Sequence, residues 1–187
     1  VTQIVIVSGS TNKSSRLYGL IQYSQPKLEE WGYEIKTIHV ADLPAEDLIG
    51  ANFNSPQIIE ALSWIEQADA VIIGSPVYKA SYTGVLKTFL DLIPMKGLRD
   101  KITLPFFIGG SIAHLLAIDY ALKPVIAALG GHHILGGVYA VDQAISRFDN
   151  HVFEVSEEIR NRLDDALGQL NEELQWRKTR SKEISPG

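Results

Sequence analysis

Ser10, Thr11, Ser14 and Ser15 gather hydroxyl groups into one short stretch, and Arg16 adds a guanidinium directly after them. Hydroxyls and a cationic fork are what hold a phosphate through charge-assisted hydrogen bonds. Their setting supports that chemistry. Ile4-Val5-Ile6-Val7 is a β-branched run that reads as a strand buried on both faces, and Gly9 breaks it. Leu17, Leu20, Ile21 and Leu28 then fall on one face of a helix. The N–H groups of a helix start lack intrahelical acceptors, and the dipole favours negative charge there. The order of a triphosphate-wrapping loop is absent, and so is the three-glycine fingerprint of a dinucleotide site. The stretch suits one terminal phosphate, or it is a serine-rich turn that caps its helix. The loop alone leaves both readings open.

Two further stretches have loop chemistry. Ser75-Pro76-Val77-Tyr78-Lys79-Ala80-Ser81-Tyr82-Thr83-Gly84 follows an apolar run, and so does Gly109-Gly110-Ser111. Tyr78 and Tyr82 either border a bound ring or pack the loop. Lys79 either attracts an anionic group or lies solvated. With no cysteine in the chain, thiolate nucleophiles, disulfides and cysteine–metal sites are excluded. His132 and His133 are neighbours on an expected strand, so their side chains point to opposite faces and no metal site is expected. His114 reads as a satisfied helix residue. Asp91 and Asp149 read as surface or capping residues.

The elements that must position these loops follow from periodicity. Trp31-Gly32 stops the first helix, and residues 33–40 alternate as a sheet-edge strand. Residues 42–56 form a longer connection whose Leu43, Leu48, Ile49 and Phe53 suggest that it packs. A helix spans 58–67, a third strand 68–74, and another helix carries Val85, Leu86, Phe89, Leu90 and Ile93 before Pro94 and Gly97 end it. A fourth strand covers 102–108. Residues 112–129 read as a helix that is apolar on nearly every side and should be buried, against another subunit if not within the chain. Gly130-Gly131 stop it, residues 133–141 form a fifth strand, and an amphipathic helix covers 153–176. This alternation predicts an α/β fold, a flavodoxin-like doubly wound parallel sheet of five strands in the order 2-1-3-4-5, with helices on both faces. Ligands of that architecture bind beyond the carboxyl ends of strands one and three, where the three small-residue loops gather.

A chain of 187 residues with net charge −5 has room for one domain, taken as 1–176 with a polar, flexible tail at 177–187. The charge gives no reason to expect nucleic acid or an anionic membrane as partner. No apolar run is long enough to span a bilayer, and the start lacks the pattern of a secretory leader, which predicts a cytoplasmic protein.

The chain resembles the NADPH-dependent FMN reductase family, and within it the flavin reductases that supply reduced FMN to alkanesulfonate monooxygenases. The resemblance is carried by Gly9-Ser10 with Ser15-Arg16, by the run from Gly74 to Asp91, by Gly109 to Leu116 and by Asp119 to Val125. It implies FMN and NADPH as cofactors, hydride transfer governed by positioning rather than by a catalytic acid or base, a homo-oligomer (dimer or tetramer) and a partner monooxygenase. Ser10, Ser15 and Arg16 would hold the FMN phosphate. Pro76, Val77, Tyr78 and Lys79 would border the ring, with Thr83 and Gly84 completing that wall. Gly109, Gly110 and Ser111 would meet the pyrimidine edge. Tyr120 would lie at a tetramer interface beside the flavin, in a π-bulge. Asn12 stands where many members have arginine, which predicts a weaker hold on the phosphate, and Lys79 stands where they have asparagine. The resemblance falters over 143–152. The alternative is a flavoprotein that retains FMN and reduces quinones, azo compounds or metal ions. A flavodoxin-type carrier is disfavoured by the modest acidity and by the serine-rich rather than threonine-rich loop. A phosphorylatable regulatory domain is disfavoured because no aspartate ends strand one or three.

Overall fold

A computed structural model describes residues 1–184. Strands β1 (Gln3–Ser8), β2 (Glu34–His39), β3 (Ala70–Pro76), β4 (Ile102–Gly109) and β5 (His133–Ile134) lie parallel in the order β2-β1-β3-β4-β5. This is the expected flavodoxin-like sheet, with β2 at its edge. β1, β3 and β4 are buried along their whole lengths, because helices cover both faces.

The period-two alternation of a strand sorts their side chains into two cores. Ile4, Ile6, Ile72 and Leu104 face helices α1 (Leu17–Glu30) and α6 (Glu157–Ile184). Val5, Val7, Ile73 and Phe107 face α3 (Pro56–Gln67), α4 (Gly84–Leu90) and α5 (Lys123–Ala128). Residues 42–56 contain a short helix α2 (Ala45–Ile49). There Leu43 and Leu48 pack, whereas Ile49 and Phe53 are exposed, so only half of the expected packing forms.

Three expectations are corrected. The fifth strand is interrupted: β5 and β6 (Val138–Val141) both pair with β4, and the break lies opposite Pro105. Proline has no N–H to give the ladder, and Gly137, at φ 82°, packs so close to the Pro105 ring and carbonyl that a Cβ there would lie 2.8 Å from the carbonyl oxygen.

Residues 112–129 are not one buried α-helix. A 3-10 turn (Ile112–His114) leads to a π-helical segment (Ile118–Leu122) and then α5. Pro124 cannot donate back to Tyr120, which breaks the regular ladder at the π segment. Ile112, Leu115, Leu116 and Tyr120 are exposed in the single chain.

The last helix does not begin at 153. Strands β7 (Ile145–Phe148) and β8 (Val152–Val155) form an antiparallel hairpin first, and α6 then continues to Ile184, so 177–184 is helical. Residues 185–187 of the expected tail lie outside the described residues. No helix among the described residues is long and apolar enough to cross a membrane.

Candidate active site

At the carboxyl ends of β1 and β3 the sheet order reverses, and the loops there converge. Gly9 makes the approach possible. Its N–H donates to the Gly74 carbonyl at 2.8 Å, and a Cβ at Gly9 would sit 2.5 Å from the Leu86 Cβ. Thr83 then locks the corner: its hydroxyl donates to the Gly9 carbonyl and accepts from Leu86 N, capping α4. The Ser75 hydroxyl accepts from Thr83 N at 3.0 Å.

In the first loop, Asn12 Oδ1 accepts from both Ser14 N and Ser14 Oγ, which closes the turn. Among the described residues, the N–H groups of Ser15 and Arg16 find no protein acceptor. No acidic side chain lies in the first turn of α1. That arrangement favours the anion cradle over the merely capped helix.

The Tyr78–Ser81 segment is a tight turn. Tyr78 N donates to Ser81 O at 2.9 Å, and Lys79 and Ala80 between them sit at φ 50° and 66°. The Tyr78 and Thr11 hydroxyls bond at 3.2 Å and tie this loop to the first one. From the π segment, the Tyr120 hydroxyl donates to the Ala80 carbonyl. Behind Gly109, the Tyr139 hydroxyl donates to the Ser111 carbonyl at 2.6 Å, and a Cβ at Gly109 would lie 2.3 Å from the Tyr139 hydroxyl oxygen. Burial pushes the Tyr139 phenol up from its ordinary pKa, with Asp142 and Tyr120 adding to the shift, so it stays a donor near neutrality.

Together these loops enclose two adjoining cavities. One, of about 230 Å³, is lined by Ser14, Ser15, Arg16 and Arg147 together with Pro76, Val77, Tyr78, Gly109, Gly110 and Asp142. The second, of about 500 Å³, shares Val77 and Gly110 with it and adds Lys79, Ser111 and His114. A lining that combines serine hydroxyls and two arginines with apolar Pro76 and Val77 and the Tyr78 ring fits a phosphorylated planar ring.

Most of the sequence-derived candidates meet here. Ser10, Thr83 and Gly84 do not line either cavity. Ser10 is 2% exposed with its hydroxyl donated to the Asn12 carbonyl, and Thr83 is a buried brace. Tyr82 packs on the core, whereas Tyr78 lines the site. Ser14, one of the hydroxyls offered for the phosphate, does line the first cavity, whereas Asn12, Ile108, His114, Asp142 and Arg147 line the cavities without having been singled out as binding residues. For His114 the signal was there, since it follows Gly109-Gly110-Ser111 closely. For Arg147 there was none, because it arrives from the unexpected hairpin. His132 is exposed and His133 faces Glu173 at 3.6 Å. No group of three or more metal-binding side chains occurs among the described residues.

The profile of a family described as NADPH-dependent FMN reductase matches residues 2–146. The chain belongs to that family. An "FMN reductase (NADPH)" of Pseudomonas putida is 40% identical over 98% of this chain and 92% of its own length. An enzyme of the same description from Escherichia coli is 40% identical over 88% and 86%. Among solved structures, the apo form of an NADH:FMN oxidoreductase superposes with a TM-score of 0.81 at 33% identity, covering 90% of this chain and 88% of that one. The flavin reductase is thus an oxidoreductase of the FMN- and NADPH-using type.

Proposed function

We propose that this flavin reductase takes FMN as a diffusible substrate, reduces it with NADPH in the cytoplasm, and hands the reduced flavin to a partner monooxygenase of the sulfonate-sulfur type. The observation that carries the reading is the pair of adjoining cavities, one with a lining that suits a phosphate and a ring, the other open beside it. Bound FMN supplies the hydride-accepting chemistry, so the protein needs no acid, base or nucleophile of its own.

The side chains have positioning work instead. Ser14, Ser15 and Arg16 hold the phosphate. Pro76, Val77 and Tyr78 set the height of the ring, and the Tyr139–Ser111 bond fixes Gly109 and Gly110 against its edge. Lys79 and His114 border the second cavity, where the nicotinamide nucleotide enters. The high exposure of Tyr78 and the open cleft support a flavin that comes and goes. The exposed apolar run at 112–120 supports a homo-oligomer, a dimer or tetramer, with Tyr120 at the contact.

The test is steady-state NADPH oxidation by flavin-free protein at varied FMN, paired with an FMN binding titration. Turnover that saturates in free FMN, with micromolar or weaker binding, is expected. FMN that stays bound, with turnover only after a quinone or azo compound is added, would overturn the diffusible-flavin reading.

A further inference from the structure

The β7–β8 hairpin and the first loop grip each other from both sides. Arg147 in β7 donates from Nη1 to the Ser14 carbonyl at 2.8 Å, and Arg16 donates from Nε to the Ile145 carbonyl at 3.0 Å. Both arginines line the 230 Å³ cavity with Ser14 and Ser15. Neither forms an ion pair among the described residues. The loop's other cation, Lys13, is held by Asp42 at 2.7 Å, and the Asn12 side chain is engaged within its own turn. Asp142 is the carboxylate of this cavity, and it lies toward Gly110, with Oδ2 3.8 Å from where a Cβ of that glycine would be.

We propose that Arg147 is a phosphate-binding residue. With Arg16 it forms a two-guanidinium clamp on the terminal phosphate of the flavin nucleotide, the hairpin supplying the second cation. The proposal rests on the FMN reading above. A phosphate monoester carries a charge of about −1.5 to −2 at pH 7, which two guanidinium groups match. Each also offers more donors than its single backbone bond uses, in the fork geometry that phosphate oxygens accept. Two like charges facing one cavity without carboxylate partners repel each other until an anion arrives, so the clamp discriminates FMN from riboflavin, which has the same ring without the phosphate. The 2′-phosphate of NADPH has the same chemistry and is the competing source.

The experiment titrates FMN and riboflavin into flavin-free wild type, Arg147→Ala and Arg147→Lys, following flavin fluorescence, and measures KM for NADPH and NADH on each. For Arg147→Ala, FMN binding is expected to weaken by about 10- to 100-fold while riboflavin binding changes by less than about twofold. Arg147→Lys should fall between, because a point charge replaces the fork. Equal weakening of both flavins would overturn the proposal and leave Arg147 a brace for the loop. Unchanged FMN binding with a raised KM for NADPH, but not NADH, would assign the guanidinium to the 2′-phosphate and likewise overturn it. If wild type binds FMN and riboflavin equally, the phosphate site itself is refuted and the clamp with it. A wild type that prefers FMN, with Arg147→Ala unchanged, retires Arg147 alone.

Discussion

Lys79 and Ala80 hold left-handed backbone, at φ 50° and 66°, so that Tyr78 and Ser81 can pair across the turn. A residue with a Cβ is strained there by about 1–2 kcal/mol, and asparagine less so because its short amide tolerates the conformation. Lys79→Asn should therefore raise the thermal midpoint, by about 1–4 °C for a chain of this size. A lowered midpoint would mean that Lys79 has a stabilising contact outweighing its backbone. His39 sets a different dependence. The Ser8 hydroxyl donates to Tyr18, and the Tyr18 hydroxyl lies 2.6 Å from His39 Nδ1, with the ring half-buried against it. Burial, and then the Lys13 charge, hold the His39 pKa below 6.5 against the opposing pull of Asp42. On acidification the unfolded chain takes up the proton first. The contribution is complete above pH 6.5 and is lost as pH falls through the lower folded value. Urea midpoints should drop over that window in wild type and drop less in His39→Gln. Parallel pH profiles would remove His39 as the cause.

The strands and loops that carry the switch point were legible because their physics is local. Ile4–Val7, Ala70–Ile73 and Ile102–Ile108 are largely apolar runs that end in small residues, and the glycines after them mark close approaches that the fold does contain. The hairpin was not legible. Ile145–Phe148 and Val152–Val155 are too short for periodicity, and Phe153 and Val155 fit the apolar stripe of the helix that follows. What makes the hairpin is tertiary: Ile145 is buried and Phe153 packs on the core against α1. That contact depends on a glycine inside a helix, where glycine ordinarily costs about 0.5–1 kcal/mol relative to alanine. A Cβ at Gly19 would lie 2.6 Å from Ile145 Cγ2 and 3.2 Å from Phe153 Cβ. Gly19→Ala should thus push the hairpin, and with it the Ile145 carbonyl and Arg147, away from the first loop. FMN affinity is expected to fall by about tenfold, the equivalent of one charge-assisted hydrogen bond. The helix gains propensity, so unaltered FMN binding together with a raised midpoint would show that the hairpin gives way without moving the site.

At the scale of the whole molecule, an apolar surface that a single chain does not cover lies just after β4. Ile112, Leu115, Leu116 and Tyr120 are 59%, 44%, 61% and 54% exposed, on the turn and π segment that follow β4. Composition alone marked this stretch as buried, because sequence records that a surface must be covered and not by what. The surface is also wired to the site. Tyr120 bonds the Ala80 carbonyl in the tight turn, His114 lines the second cavity, and Asp119 is held to Lys123 by an ion pair one turn apart. A second copy lying on this face would cover the apolar side chains and wall the cavity that Lys79 and His114 leave open. Exposed patches of this kind mark association surfaces. Leu116→Glu is the discriminating variant: the side chain is exposed in the protomer, so the fold should tolerate it, whereas an interface would bury an unpaired carboxylate. Sedimentation velocity should show an oligomer for wild type and a monomer for Leu116→Glu, with turnover per subunit reduced if the partner copy walls the second cavity. A wild type that sediments as a monomer at micromolar concentration while turning over fully would remove the partner copy from the site, and the cleft of one chain would then be the complete enzyme.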